Sequence, residues 1–316
     1  MAVTSFTKRK GFLLLNVSSN TQATEGRSLK RKLLELLSGV LSPEELSLVY
    51  GSFDIVGDIA IIRLSSASQK NAKKIADAVM RVHGNVKTVL AQTSVVGGEF
   101  RLRRLTHIAG ENSTNTVHRE SGCSFSVDVK KCYFSPRLSN ERLRIASLVK
   151  PRETVINMFA GVGCFSIIIA KHISTARVFS VDINPAAIQF MQENVRLNRV
   201  YGQVIPLLGD SKTIVESRLH DTADRVLMPL PEKALEYLPS AMSALKPTGG
   251  WIHYYDFEHA RKGEDPIEKT RLRVAAKLAE LFATYEVPFS RIVRTVGPNW
   301  HQVVLDIHVT RDADKF

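Results

Sequence analysis

Residues Asn157–Ser166 (NMFAGVGCFS) lie between two short apolar runs, Thr154-Val155-Ile156 and Ile167-Ile168-Ile169-Ala170. That order predicts a strand, a glycine turn and a helix. Gly161 and Gly163 let the backbone turn tightly and approach a ligand, and the first helical turn offers unpaired N–H groups. Nineteen residues after Gly163, the strand-like run Arg177–Val181 ends in Asp182. A carboxylate at the tip of the next parallel strand is placed to accept from both hydroxyls of a ribose. Phe159 and Ala160 on the turn, with Ile183 and Asn184 after the acid, complete a candidate nucleoside cradle.

A glycine pair alone is most often a plain turn; the acid at this spacing gives it meaning. Asn184-Pro185 then opens a helix whose Ile188, Met191 and Val195 share one face, with proline where a first turn tolerates it. Dinucleotide enzymes usually carry a third glycine where Ser166 stands. A nicotinamide dehydrogenase would also need a hydride-site His/Arg pair, for which the chain offers no candidate. The alternative cofactor with an adenosine ribose is S-adenosylmethionine (SAM).

The 316 residues suffice for a large core and for two domains. The early apolar run Phe12–Val17 is too short for a membrane span or a signal core. Cys123, Cys132 and Cys164 form no C-x-x-C pair, which suits a reducing cytoplasm and implies no zinc site. The net charge is +12, and residues 1–110 hold sixteen Lys and Arg against eight Asp and Glu. A basic surplus of this kind points to a polyanion, and nucleic acid fits best.

In chain order, residues 1–26 read as a loosely attached extension with Lys8-Arg9-Lys10 and one strand. Ser28 is placed to cap a helix that buries Leu29, Leu33, Leu34 and Leu37. Phe53–Arg63 is strand-like with a bend at Gly57, Ser68–His83 has helical spacing, and Val86–Ala91 is a further strand. With strands at Leu105–Ala109, Thr116–His118 and Ser124–Val129, residues 27–129 form an α+β module. Residues 130–316 alternate strands and helices, ending in a helix at Arg271–Tyr285 and a strand at Gln302–Thr310. That alternation predicts an α/β fold with a doubly wound, mainly parallel sheet.

Several motifs then carry a resemblance. Tyr133–Arg142 (YFSPRLSNER), Met158–Ser166, Asp182-Ile-Asn-Pro185, Pro229-Leu230-Pro231 and His253–Phe257 resemble the archaeal and eukaryotic tRNA guanosine-37 N1-methyltransferases. Phe53–Ala60, Arg101–Arg103 and Ala109–Asn112 match the same family, so the likeness covers roughly residues 27–310. It implies a class I, Rossmann-like methyltransferase domain behind a smaller RNA-binding module, SAM as cofactor, and the anticodon region of tRNA as partner. It also implies Glu141 as the base that takes the guanine N1 proton and Arg101 as the donor to O6. Without it, Glu141 reads as a helix-surface glutamate and Arg101 as a solvated strand arginine.

By the same likeness Asp210 lies beside the adenine, Pro229 and Pro231 wall the methyl group and target base, and Tyr133 or Phe134 touches cofactor or base. His253 reads as a buried strand histidine without a catalytic role. Two departures stand out. The family commonly carries Asn-Leu-Pro at the fourth strand tip, and Pro229 in the Asn place is similar to the branch that also methylates a tricyclic wyosine precursor. The resemblance also leads one to expect that the domain with which longer relatives touch the outer corner of tRNA is mostly missing from this sequence. A second function compatible with the same fold and cofactor is the sister aminocarboxypropyltransferase of wybutosine synthesis; a third is a non-catalytic RNA-binding protein on the same fold.

Overall fold

The computed structural model describes residues 31–310. The basic cluster at Lys8–Lys10, the early strand, the Ser28 cap and Leu29 lie outside the described residues. Helix α1 (31–38) buries Leu33 and Leu37 and leaves Leu34 half-buried. Helix α2 (Pro43–Ser47) starts from a capping box, with Glu45 N–H donating to the Ser42 hydroxyl and the Glu45 side chain accepting from Ser42 N–H.

Strands β1 (Asp54–Val56), β2 (Ile59–Arg63), β3 (Thr88–Gln92) and β4 (Leu105–Gly110) form the first sheet in that order. β2 and β3 run parallel, joined by a 3₁₀ turn at Ser66–Asn71 and helix α3 (Ala72–Val82). The helix foreseen from Ser68 thus begins four residues later, after that turn. α3 buries Ile75, Ala76, Ala78 and Val79 against the sheet. The bend at Gly57 is the turn of the β1–β2 hairpin. Its φ is +58°, and a Cβ there would sit 2.1 Å from Thr116 Oγ1, so only glycine lets the turn abut the next hairpin.

That next hairpin, β5 (Asn115–Glu120) with β6 (Cys123–Asp128), is a separate two-stranded sheet. From the sequence, the front module closes after residue 129, which puts this hairpin in front. Its β5 side chains Thr116 and His118 bond the Gly57–Asp58 turn of the front unit, and its β6 edge is bonded to the second unit. On helix α6 (Pro185–Leu197), Asn194 accepts from Ser126 N–H at 2.6 Å and donates to Ser126 C=O at 3.0 Å. Asn198, at the helix end, does the same for Ser124 at 2.9 and 2.7 Å. Two asparagines four residues apart thereby satisfy edge groups that would otherwise lack partners. Phe125 and Val127 join one buried cluster with Val155, Ile167 and Met191 behind them and Val56, Ile59 and Leu90 in front.

The second unit opens with helix α4 (Ser139–Leu148) and continues through β7 (Thr154–Asn157), α5 (Cys164–His172), β8 (Arg177–Asp182), α6 and β9 (Val204–Leu208). It completes with α7 (Ser211–Ile214), β10 (Arg225–Met228), α8 (Ala234–Ala244), β11 (Gly250–His259), α9 (Pro266–Glu280), β12 (Thr284–Gly297) and β13 (Trp300–Thr310). The seven strands lie in the order β12-β13-β11-β10-β7-β8-β9. β11, β10, β7, β8 and β9 are parallel, and β13 is antiparallel to both neighbours. The chain leaves β7 in one direction and returns on its other side at β10, so the switch point lies between these two strands.

Two expectations fail near the C-terminus. The last helix starts at Pro266, capped by Asp265, whose carboxylate accepts from Ile267 N–H at 2.8 Å, and it ends at Glu280. Tyr285 belongs instead to β12, a strand the sequence pattern did not reveal. Pro288 interrupts its alternation and falls in a register shift between Glu286 and Phe289. A residue without an N–H is tolerated there because β12 is an edge strand.

Candidate functional site

At the switch point the chain leaves β7 through Met158 and Phe159 and turns at Gly161 (φ +56°) and Gly163 (φ +92°). Gly163 is the N-cap of α5, and a Cβ on it would lie 2.7 Å from Met191 Cγ. Its absent side chain therefore lets α5 and α6 approach each other. Gly161 has only Tyr133 C=O, at 4.0 Å, where a Cβ would point, so its face of the turn is open. Asp182 Oδ2 accepts from Gly161 N–H at 2.6 Å, and Oδ1 from Asn184 N–H at 2.9 Å. Burial raises the Asp182 carboxyl above its usual range, and these two N–H donors partly offset that. Each oxygen retains a lone pair for a ribose hydroxyl.

A cleft open to solvent lies over this turn. Of the residues singled out from sequence, Arg101, Tyr133, Phe159, Gly161, Asp182, Ile183, Asn184, Asp210 and Pro229 line it. Asn184 is chiefly structural: it caps α6 through Ala186 N–H and donates to Lys131 C=O at 2.8 Å. Asp210 caps α7 through Lys212 N–H and accepts from Tyr237 hydroxyl at 2.7 Å. Burial and then that carboxylate push the Tyr237 phenol well up, so Tyr237 stays a donor.

The remaining candidates stand back from the cleft. Phe134 is a core aromatic, edge-on to His118 and beneath the Arg142 guanidinium. Ala160 donates its N–H to Val181 C=O at 2.8 Å, Gly163 packs on α6, and Pro231 is buried. Glu141 is 1% exposed and held from three directions. Tyr255 hydroxyl donates to Oε1 at 2.7 Å, Arg144 bonds both oxygens, and Arg291 bonds Oε2. Burial pushes this carboxyl up, but Arg144, then Arg291 and Tyr255, outweigh it and hold it below the usual range. His253 is fully buried in β11. Its partners fix a neutral ring, with Nδ1–H donating to Asp306 and Nε2 accepting from Arg225, each at 2.6 Å.

Other lining residues were not foreseen. Ser211 has a buried hydroxyl without a partner, beside Asp210. Tyr237 stands on the first turn of α8 and meets Phe159 edge-on at 5.1 Å. Met158, Glu99, Phe100, Leu230 and Lys233 also line the wall, with Ala187 and Gly209. Ser211 directly follows a strand-tip acid, a signal the sequence did carry; Tyr237 and the Glu99–Phe100 loop enter only through tertiary contact. An adenosine fits this donor set, since Asp182 offers free lone pairs for a ribose and the Ser211 hydroxyl needs a polar partner.

Arg101 belongs to the loop between β3 and β4, at φ +54°, and crosses to the second unit. Its guanidinium lies 4.5 Å from the centre of the Tyr133 ring, and Nη2 bonds Glu232 Oε1 at 2.8 Å. One cleft is thus lined from both units.

A doubly wound sheet with one reversed strand, a glycine turn and a strand-tip Asp at the switch point defines a class I methyltransferase. The family model for the TRM5/TYW2 methyltransferase domain matches residues 116–282, and that for the TYW2 N-terminal domain matches residues 33–114. The chain belongs to the TRM5/TYW2 methyltransferase family. It is 43% identical to the tRNA (guanine(37)-N(1))-methyltransferase Trm5b of Pyrococcus abyssi, over 82% of this chain and 75% of that protein. It is 39% identical to the tRNA 4-demethylwyosine(37)-methyltransferase Taw21 of Saccharolobus solfataricus, over 82% of this chain and 94% of that one. A solved complex of aTrm5 with tRNALeu superposes with a TM-score of 0.76 at 35% identity, over 89% of this chain and 79% of that one.

Proposed function

We propose that this chain is a SAM-dependent tRNA methyltransferase that forms 1-methylguanosine at position 37. The observation that carries the reading is the shared cleft: the ribose carboxylate Asp182 and the front-module arginine Arg101 line one cavity. SAM, when bound, supplies an activated methyl group on a sulfonium leaving group.

Guanine N1 carries a proton at neutral pH and is not a nucleophile until that proton leaves. As it leaves, charge moves onto O6, so the reaction needs a base near N1 and a fixed donor near O6. Arg101 is the donor in this reading. Glu141 is the base in this reading, and it lies buried behind the cleft rather than on its wall. Met228, just before Pro229, pairs with Tyr254, and the hydroxyl of the next residue, Tyr255, bonds Glu141. Despite burial, the Glu141 carboxyl, held below the usual range by Arg144, Arg291 and Tyr255, is ionised at neutral pH.

Pro229 in place of the Asn common in the family presents a rigid surface without a hydrogen-bonding side chain. That surface accepts a tricyclic wyosine precursor as well as guanine, in line with the 39% likeness to Taw21. Among the described residues no helix is long and apolar enough to cross a membrane; a cytoplasmic location is part of the proposed reading. The test is nucleoside analysis of a purified tRNA with G37, before and after incubation with enzyme and SAM. Appearance of 1-methylguanosine is the expected result. Unchanged G37 would overturn the reading, and addition of an aminocarboxypropyl group would assign the sister activity.

A further inference from the structure

Arg101 is the one side chain in the proposed chemistry that comes from the front unit, and its placement is tight. The backbone around it closes a small turn: Gly97 and Leu102 form a bridge, and Arg101 N–H donates to Gly98 C=O at 3.0 Å. The guanidinium is then held on two sides, by the Tyr133 ring beneath one face and by Glu232 at Nη2. Its Nε–H is buried and has no partner. A buried donor left unmade is costly, so it marks the direction from which an acceptor is missing.

We propose that Glu232 is a positioning residue for methyl transfer: it fixes the Arg101 guanidinium so that the Nε edge faces O6 of the target base. The inference rests on the function proposed above. Glu232 stands one residue beyond Pro229-Leu230-Pro231, so the strand tip that walls the base also orients the arginine that reads it. The carboxylate serves a second purpose. The chain carries a net charge of +12, and its substrate is a polyanion. At the mouth of the cleft, Arg101 without a carboxylate partner would pair with the nearest phosphate, where an arginine fork binds well. Glu232 keeps it on the base.

Glu232 is half exposed, with its side chain at 49%, so its replacement by the isosteric amide leaves the fold intact. The experiment compares parent, Glu232→Gln, Arg101→Ala and the double variant in single-turnover methylation of a G37 tRNA. For Glu232→Gln we expect a rate at saturating tRNA about tenfold or more below parent, with SAM affinity and half-saturating tRNA unweakened. In the Arg101→Ala background the same change should cost nothing further, because Glu232 acts through Arg101. A parental or faster rate for Glu232→Gln would overturn the proposal, since the carboxylate would then only compete with substrate for Arg101. An equal loss in both backgrounds, or a loss of SAM binding, would overturn it too. If the parent itself leaves G37 unmethylated, the proposed function fails; if the parent methylates and Glu232→Gln is not slowed, only this inference fails.

Discussion

Asp182 joins two tasks in one carboxylate. It fastens the glycine turn through Gly161 N–H and presents lone pairs to a ribose. Replacing it with Ala removes charge-assisted hydrogen bonds worth roughly 1.5–3 kcal/mol each at most. Titration calorimetry should show SAM affinity falling by at least about tenfold in Asp182→Ala, and an unchanged dissociation constant would displace the cradle. Glu141 makes a sharper case. On sequence alone it is a helix glutamate, yet it is nearly inaccessible and ringed by Arg144, Arg291 and Tyr255. Glu141→Gln should slow single-turnover methylation by about 10²-fold while SAM affinity holds. A near-parental rate across about pH 6 to 9 would leave Glu141 only as the anchor of α4.

The strand–turn–helix element from β7 to α5 was legible because its signals are local: apolar runs, two glycines and an acid at a fixed distance. Gly163 shows how closely the element is built. Its φ of +92° disfavours any Cβ, and the contact with Met191 leaves no room for one. Gly163→Ala should cost about 2–4 kcal/mol, from left-handed backbone strain and overpacking together, read as a lower midpoint in urea. β12 illustrates the opposite. Its exposure alternates irregularly, Pro288 breaks the pattern, and only pairing with β13 makes it a strand. The short α7 owes its existence to the Asp210 cap, and the hairpin β5–β6 owes its edge partners to Asn194 and Asn198.

Across the whole molecule, a buried ionic chain ties the sheet to α4. It runs from Glu153 through Arg225, His253, Asp306 and Arg144 to Glu141. Burial raises the Asp306 carboxyl, but His253 and Arg144 hold it down to about 2. Its ordinary value is about 3.9, so the native state binds fewer protons than the unfolded chain between those values. The stabilisation is therefore full above about pH 4 and is lost as pH falls through about 2. Burial also lowers His253, with the same sign below about pH 6.5. Asp306→Asn should cost about 3–5 kcal/mol at pH 7, with a deficit that shrinks towards pH 2 in urea titrations. On the same scale, the basic surplus of residues 1–110 should make tRNA binding electrostatic. Affinity should fall at least about tenfold between roughly 50 and 200 mM salt; a flat salt profile would remove the phosphate contacts assigned to this surface.

The sequence by itself determined the alternation of strands and helices, the switch-point turn, Asp182 beside it and the basic character of the front third. Each is a matter of periodicity, composition or spacing within about twenty residues, where chain connectivity alone sets the geometry. Tertiary structure decided which candidates share a cleft. Glu141 meets Tyr255 across 114 residues and Arg291 across 150, and Arg144 meets Asp306 across 162. No local pattern carries those distances. Phe134 and Tyr133 are neighbours in sequence, yet one enters the core and the other lines the cleft. The pairing of Arg101 with Glu232 arises only where the two units close on each other, because long-range packing, not propensity, brings the two charges within 2.8 Å.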